Sequence, residues 1–345
     1  MKELAITAIN AITAVGHDAA ITAAAVRAGI SRFCEFDEYP DGGDNPITVA
    51  PIRGIEDGGD TVERMDAIAR VCLQNLLEKN YPNNTVQPSH CNLLLGVASE
   101  KRHGPRYEES CFGSLIGVVK NWTDVHSLKV VPLGNAAMQN AVAQAGKLIE
   151  SNPAAVCIVG CVDSLLRHST LNWFEQAGRL KSASYGRHQG LIAGEAVCFM
   201  VVEDLVRARR AGRPVLARIT GLGVAEEPMP RSSNSPCRGT GLSEACRSAL
   251  AGTSGEVVRA VVGDLNGENS RAREWSIAER RCFKKTAVPR HFWTPANCYG
   301  DVGAASGGVL TTIAVQGLVR GWLRSPVLIF CSDDHGSCGA MVLET

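Results

Sequence analysis

Apolar and polar positions alternate in blocks along the whole chain, and the blocks switch repeatedly between strand-like and helix-like periods. Residues 3–12 alternate as a strand does, and "DAAITAAAVRAG" (18–29) follows as a helix. "ITVAPI" (47–52) reads as a strand, "TVERMDAIARVCLQNLLEKN" (61–80) as a strongly amphipathic helix and "CNLLLGVAS" (91–99) as a buried strand. Helices near 107–120 and 135–150 flank the short extended piece "LKVVPL". "AAVCIVGCVDS" (154–164) and "GLIAGEAVCFMVVED" (190–204) are further apolar strands.

The same order then starts again. "VLARITGLGV" (215–224) is a strand, 241–252 a helix, "EVVRAVVGDLN" (256–266) a strand and 270–282 a helix. A long helix follows Gly303, and "PVLIFCSDD" (326–334) is a strand. Alternation of this kind predicts an α/β protein. Repetition of the order without repetition of the sequence predicts two similar halves, 1–212 and 213–345, sharing one compact core. The stretch 225–240, "AEEPMPRSSNSPCRGT", is the most loop-like.

Composition narrows the function. The chain has 345 residues, 45% hydrophobic, and 35 Lys plus Arg balance 35 Asp plus Glu, so no electrostatic footprint points to nucleic acid or an anionic membrane. The basic run "VRARRAGR" (206–213) is read as the solvated end of a helix. No stretch reaches the roughly 18 apolar residues of a membrane span. The 13 Cys lack the tight spacing of small secreted domains, and no signal peptide opens the chain, so a reducing cytoplasm is expected. Neither "CIVGC" (157–161) nor "CSDDHGSC" (331–338), with Cys331, His335 and Cys338, has the spacing of a zinc site. The expectation is no metal and no cofactor, with the thiols buried as small hydrophobes.

Four stretches carry a family resemblance. "ITAINAITAVGHD" (6–18) resembles the first strand and turn of the β-ketoacyl synthases, or ketosynthases, of the thiolase-like superfamily. "GRHQGLIAGEAVCFMVVEDLVRARRAGRPVLARITGLG" (186–223) resembles their central segment, with Arg187, Gly190, Gly194 and Glu195 at matching places. "GDVGAASGGVLTTIAVQGLVRG" (300–321) resembles the helix after their second catalytic histidine, and "GSCGAMVL" (336–343) their closing turn and strand. The resemblance implies the thiolase fold, two pseudo-repeated βα halves in five layers (αβαβα), usually as a two-fold dimer. Independently of any family, Gly303, Ala304, Ala305, Gly307 and Gly308 leave a helix start almost bare, so that helix belongs against another backbone in the core.

The resemblance also implies chemistry that the sequence lacks. The family uses a cysteine thiolate at a sharp turn opening a helix, where the dipole favours the anion. That position falls on Asn135 in "LGNAAMQNAV", and shifts of one or two residues bring only Gly134, Ala136, Ala137 or Met138. An amide is not a nucleophile of this kind. The two family histidines fall on Asn266 and Asp301, and the accompanying lysine is absent from "WTPANCYG" (293–300). The gating phenylalanine of the closing turn falls on His335, beside Asp333 and Asp334.

Each replacement has a plain structural reading. Asn135 and Asp301 are favoured helix caps and Asn266-Gly267 is a turn pair. The functional alternative is a new polar pocket in which Asn135, Asn266 and Asp301 converge with a buried Asp as base, or a relocated pair of His335 with an Asp. Two functions follow. One is a non-catalytic ketosynthase-like protein acting by binding to an acyl carrier protein, to an active ketosynthase partner in a homodimer or heterodimer, or as accessory of a bacterial type VI secretion effector cluster. Chain-length factors of polyketide synthesis, which have lost the cysteine and pair with an active subunit, are the family precedent. The other is an acyl-thioester enzyme, an acyltransferase, decarboxylase or hydrolase, with a rewired site.

Overall fold

The computed structural model describes residues 3–40, 45–55, 62–81, 91–181, 189–233, 235–253, 257–283 and 291–345. Arg187 lies outside the described residues.

The first half runs β1 (Leu4–Thr13), α1 (Ala19–Arg27), the hairpin β2 (Cys34–Pro40) and β3 (Pro46–Ala50), α2 (Val62–Asn80), β4 (Cys91–Gly96), α3 (Gly113–Lys120), β5 (Val125–Val131), α4 (Ala137–Ser151), β6 (Val156–Ser164), α5 (His168–Gln176) and β7 (Ala193–Asp204). After α6 (Leu205–Arg210) come β8 (Ala217–Glu226), α7 (Thr240–Leu250), β9 (Ala260–Gly263), α8 (Asn269–Cys282), β10 (His291–Trp293), α9 (Ala296–Tyr299), α10 (Ser306–Val319), β11 (Val327–Ser332) and β12 (Ser337–Glu344).

Strand order in the first half is β5-β4-β6-β7-β1, and in the second β10-β9-β11-β12-β8. The senses of pairing match step for step. β4 is parallel to β5 and β6 as β9 is to β10 and β11, while β6-β7-β1 and β11-β12-β8 are antiparallel. The halves are thus topological copies, joined where Leu4, Ala5 and Ile6 of β1 pair with Ile219, Arg218 and Ala217 of β8.

Periodicity explains the layers. In α2 the buried positions Met65, Ile68, Ala69, Cys72, Leu73 and Leu76 recur every three or four residues, so one stripe faces the sheet and the other faces water. α10 has no such stripe, since nearly every residue from Ser306 to Leu318 is buried. A helix apolar all round must lie between layers. It packs with α4 in the main core against residues from both halves, among them Leu4, Val159, Met200, Ile219, Val262 and Ile329. α7 and α8 cover the far side of the second half. The result is the αβαβα stack.

The central helices touch through residues without bulk. A β-carbon on Gly307 would lie 2.7 Å from that of Met138, and one on Gly308 would lie 2.6 Å from the Cys161 sulfur. The bare start of the helix is what lets α10 approach α4.

β1 differs from the expected alternation, because all ten of its residues are buried. Asn10 is tolerated there because its oxygen accepts from the Ala19 N–H (3.1 Å) and its amide donates to the Cys72 carbonyl (3.2 Å). Glu195, singled out by the family match, is a fully buried strut. Its carboxylate is ion-paired with Arg64 and accepts from Ile52 N (2.8 Å) and Ser164 Oγ (3.0 Å).

Candidate functional site

Two equivalent turns open the central helices. The 3-10 turn Gly134–Ala136 leads into α4 and the turn Gly303–Ala305 into α10, with φ of +56° at Gly134 and +51° at Gly303. Each glycine faces an aspartate at the end of a strand of the other half. A β-carbon on Gly134 would overlap the Asp333 carboxylate, and one on Gly303 would overlap that of Asp163. Glycine is required at both places for backbone angle and for space.

Asn135 follows the bend residue. It is buried, and its amide donates to Ser306 Oγ at 3.4 Å. The capping role expected for it is not observed. Leu133 and Ala136 occupy the cap positions without a side-chain bond, because Asn135 lies inside the turn and points to the neighbouring helix.

Asp301 does cap its turn, as its Oδ1 accepts from Gly303 N at 2.9 Å. Its Oδ2 accepts from Asn266 Nδ2 at 2.6 Å, and Asn266 Oδ1 accepts from Glu268 N at 3.1 Å, closing the expected turn. Asn266 and Asp301 therefore converge, whereas Asn135 is bonded elsewhere. The three do not form one polar pocket.

His335 sits in the turn between β11 and β12. Its backbone N–H donates to Asp333 Oδ2 at 2.8 Å, and its ring Nε2 is buried without a partner among the described residues. The predicted His–Asp contact is thus a backbone contact, not an imidazole–carboxylate pair. Asp333 is held above the usual carboxylate range by burial and then by the adjacent Asp334.

Around these residues the protein builds an ionic cluster that sequence reasoning missed. Arg179 grips Glu268 through Nε and Nη2, both at 2.7 Å, and Asp334 through Nη1 at 2.6 Å. Arg231 reaches Glu274 (2.5 Å) and Asp334 (3.0 Å), and Arg271 reaches Asp264 (2.6 Å). Both also donate to the Ser332 carbonyl, at 2.9 and 2.7 Å. On the opposite side Arg102 holds Asp163 in a two-point bridge of 2.6 and 2.7 Å, and Asp163 also accepts from Ala304 N (2.7 Å).

Charge in this cluster is mutually satisfied. Burial opposes ionisation of Asp334, but Arg231, Arg179 and Arg271 hold it well below the usual range. Burial also opposes that of Glu268, and Arg179 overrides it. Asp264 goes the other way. Burial pushes it up to about 6, although Arg271 pulls it down.

Two thiols packed against the central helices are disfavoured as thiolates. Cys161 and Cys331 are fully buried, and burial raises both well above the ordinary thiol value. Cys331 accepts from Gln139 Nε2 at 3.6 Å. A cavity of about 530 Å3 opens on the outer side of the cluster, lined by Trp173, Arg179, Arg231, Arg273, Glu268 and Asp334 among others. Asn135, Asn266, Asp301 and Asp333 lie behind this wall and do not line it.

The described residues bring one acid–thiol group together, Glu227, Cys237 and Glu274, with donor atoms within 4.8 Å. Its carboxylates are already engaged, by Gly241 N (2.8 Å) and by Arg231 and Ser332 (2.5 and 2.7 Å). Such a donor set suits hydrogen bonding better than a cation.

No protein-family model matches the sequence, and no curated protein matches it. Solved structures do. The structure described as the ishigamide ketosynthase/chain length factor superposes with a TM-score of 0.81 at 16% identity, covering 100% of this chain and 99% of that one. A chain from a type II polyketide synthase acyl-carrier protein in complex with its hexaketide-bound ketosynthase gives 0.80 at 12% identity, covering 100% and 99%. The ketosynthase from module 6 of the bacillaene synthase of Bacillus subtilis 168 gives 0.79 at 12%, covering 99% of this chain and 72% of that one. From end to end, the chain has the ketosynthase form of the thiolase-like fold.

Proposed function

We propose that this protein is a non-catalytic ketosynthase-fold protein that acts by binding. One observation carries the reading: Asn135, at the position aligned with the family nucleophile, is buried and its amide donates to Ser306 Oγ, so that position bears no nucleophile. The residues expected in place of the imidazoles, Asn266 and Asp301, are spent on each other and on a turn. The ion pairs around them use the polar capacity that acyl chemistry would need, and the cavity ends on their outer wall.

The fold supports two classes of binding partner. The structural neighbours include a ketosynthase/chain length factor and a ketosynthase complex with its acyl-carrier protein. By analogy the partner is a second ketosynthase-like subunit, the same chain or a paralogue, or an acyl carrier protein. Service beside a secretion effector is a further setting. The two halves, 1–212 and 213–345, act as one unit in a cytoplasmic protein with no metal or cofactor.

The test is incubation with acetyl and malonyl thioesters, read by intact-mass spectrometry and thioester analysis. The reading expects neither an adduct nor decarboxylation. A stable acyl adduct on any Cys, or loss of carbon dioxide above a buffer control, overturns it in favour of the rewired enzyme.

A further inference from the structure

The outer face of the second half carries two thiols outside the central site. α7 and α8 share an apolar cluster to which Ala245, Cys246 and Ala249 contribute from one helix and Trp275 and Ala278 from the other, with Cys282 packed against it. Cys246 is wholly buried, whereas Cys282, the last residue of α8, is half-buried and reaches solvent. The two thiols are neighbours in this cluster and influence each other's ionisation.

The surroundings of Cys282 are electropositive by construction. Its thiol donates to the Ser243 carbonyl at 3.4 Å, one turn before Cys246 on α7. Arg247 Nε donates to the same carbonyl at 3.3 Å, and Arg281 Nη1 to Ser243 Oγ at 3.4 Å. Two guanidiniums therefore bracket the residue that the sulfur touches. A thiol that is partly accessible, flanked by cations and backed by a second thiol has the arrangement of a peroxide-reactive cysteine with its resolving partner.

We infer that Cys282 and Cys246 form a peroxide-sensitive pair whose disulfide ties α7 to α8. Hydrogen peroxide is the oxidant. The Cys282 thiolate attacks one peroxide oxygen, the O–O bond breaks, and hydroxide leaves to take up a proton as water. Cys246 then attacks the sulfenic sulfur, the S–O bond breaks, and a second water leaves with the Cys246 proton. Overall two thiols lose two hydrogens and peroxide is reduced to two waters.

Several observations fit this order of events. The neighbouring Cys246 thiol is the first influence lowering the Cys282 thiol, with Arg247 and Arg281 adding to it against burial. Cys246 is raised by its neighbour Cys282 and by burial, so it stays a thiol until the sulfenic group is beside it. A disulfide sulfur separation is about 2.05 Å, and the terminal place of Cys282 on its helix lets its side chain turn to close the gap. The bond would act on the cavity wall. α8 carries the wall residues Ser270, Arg273 and Glu274, and the segment leading into α7 carries Arg231 and Cys237.

The experiment uses the reduced full-length protein, treated with hydrogen peroxide, quenched, and alkylated in denaturant before tryptic mass spectrometry. The expected product joins the peptide 239–247 to the peptide 282–284 with the loss of two hydrogens. Dimedone added during oxidation should compete, labelling Cys282 at the expense of the cross-link. In Cys246→Ser the label should accumulate on Cys282, and in Cys282→Ser Cys246 should stay unmodified. The dimedone competition needs no variant, so a misfolded mutant does not remove the test. Recovery of both peptides as alkylated thiols, while Cys34, Cys111 or Cys237 oxidises, overturns the inference.

Discussion

The carboxylate of Asp333 stands where a side chain on Gly134 would have to go, and Asp163 stands in the same relation to Gly303. Each contact crosses from one half of the molecule to the other. Gly134 directly precedes Asn135, whose own side chain turns instead to Ser306.

Gly134→Ala forces both a left-handed φ and an overlap with that acid. The expected loss is about 2–4 kcal/mol of stability. Urea unfolding is the measurement. Adding Asp333→Gly should recover part of the loss by removing the overlap while leaving the backbone strain. Equal midpoints for the wild type and Gly134→Ala would contradict the packing described.

Arg102→Met removes the partner of a fully buried carboxylate. Breaking one side of such a pair costs about 3–5 kcal/mol, because the remaining charge is stranded. Combining it with Asp163→Asn should restore much of that, since the amide still accepts from Ala304 N and carries no charge. Calorimetric midpoints of the two variants decide the matter.

Asp264 gives a signed pH dependence. Its value moves from 3.8 to about 6 on folding, so between those limits the folded chain binds a proton that the unfolded chain has released. Stability from this group falls as pH rises through that window and is flat above it, a span of roughly 3 kcal/mol. Asp334 and Glu268, both held low, run in the opposite sense, and their share is lost as the solution becomes more acid. Comparing Asp264→Asn with the wild type isolates the first effect. The wild type should lose ground to the variant between about pH 4 and 6, and parallel curves would refute the assignment.

Asn135→Cys restores a thiol at the aligned position without restoring its setting. The side chain there faces Ser306, and no imidazole stands beside it among the described contacts. Incubation with an acetyl thioester should leave the variant unacylated at neutral pH. A covalent adduct on Cys at 135 would show that the centre is reachable.

Much of the fold was legible because its signals are local. The stripe of α2, the apolar runs of β4, β6 and β7, and the bare start of α10 each state an environment within a few residues. β2 and β10 were not legible. One is largely exposed, and the other is only three residues long, paired with β9. Convergence of Asn266 with Asp301 followed from the family alignment, but the direction of Asn135 depended on which helix would lie opposite.

The ionic cluster escaped for a different reason. Its members come from position 179, from 231, from the 264–274 segment and from 332–334, and no spacing within any one of these marks a pair. The signals present were "SDDHG" directly after a buried strand and an arginine in the loop-like stretch 225–240. Buried acids at a strand end demand counter-charges, and the fold alone says which distant arginines supply them.

α10 has no face turned to water. A fragment ending before it would leave α4 uncovered, and a fragment beginning after α6 would present α10 itself as a greasy cylinder. Neither piece can finish its interior by itself, so the two halves share one interior that only both together complete.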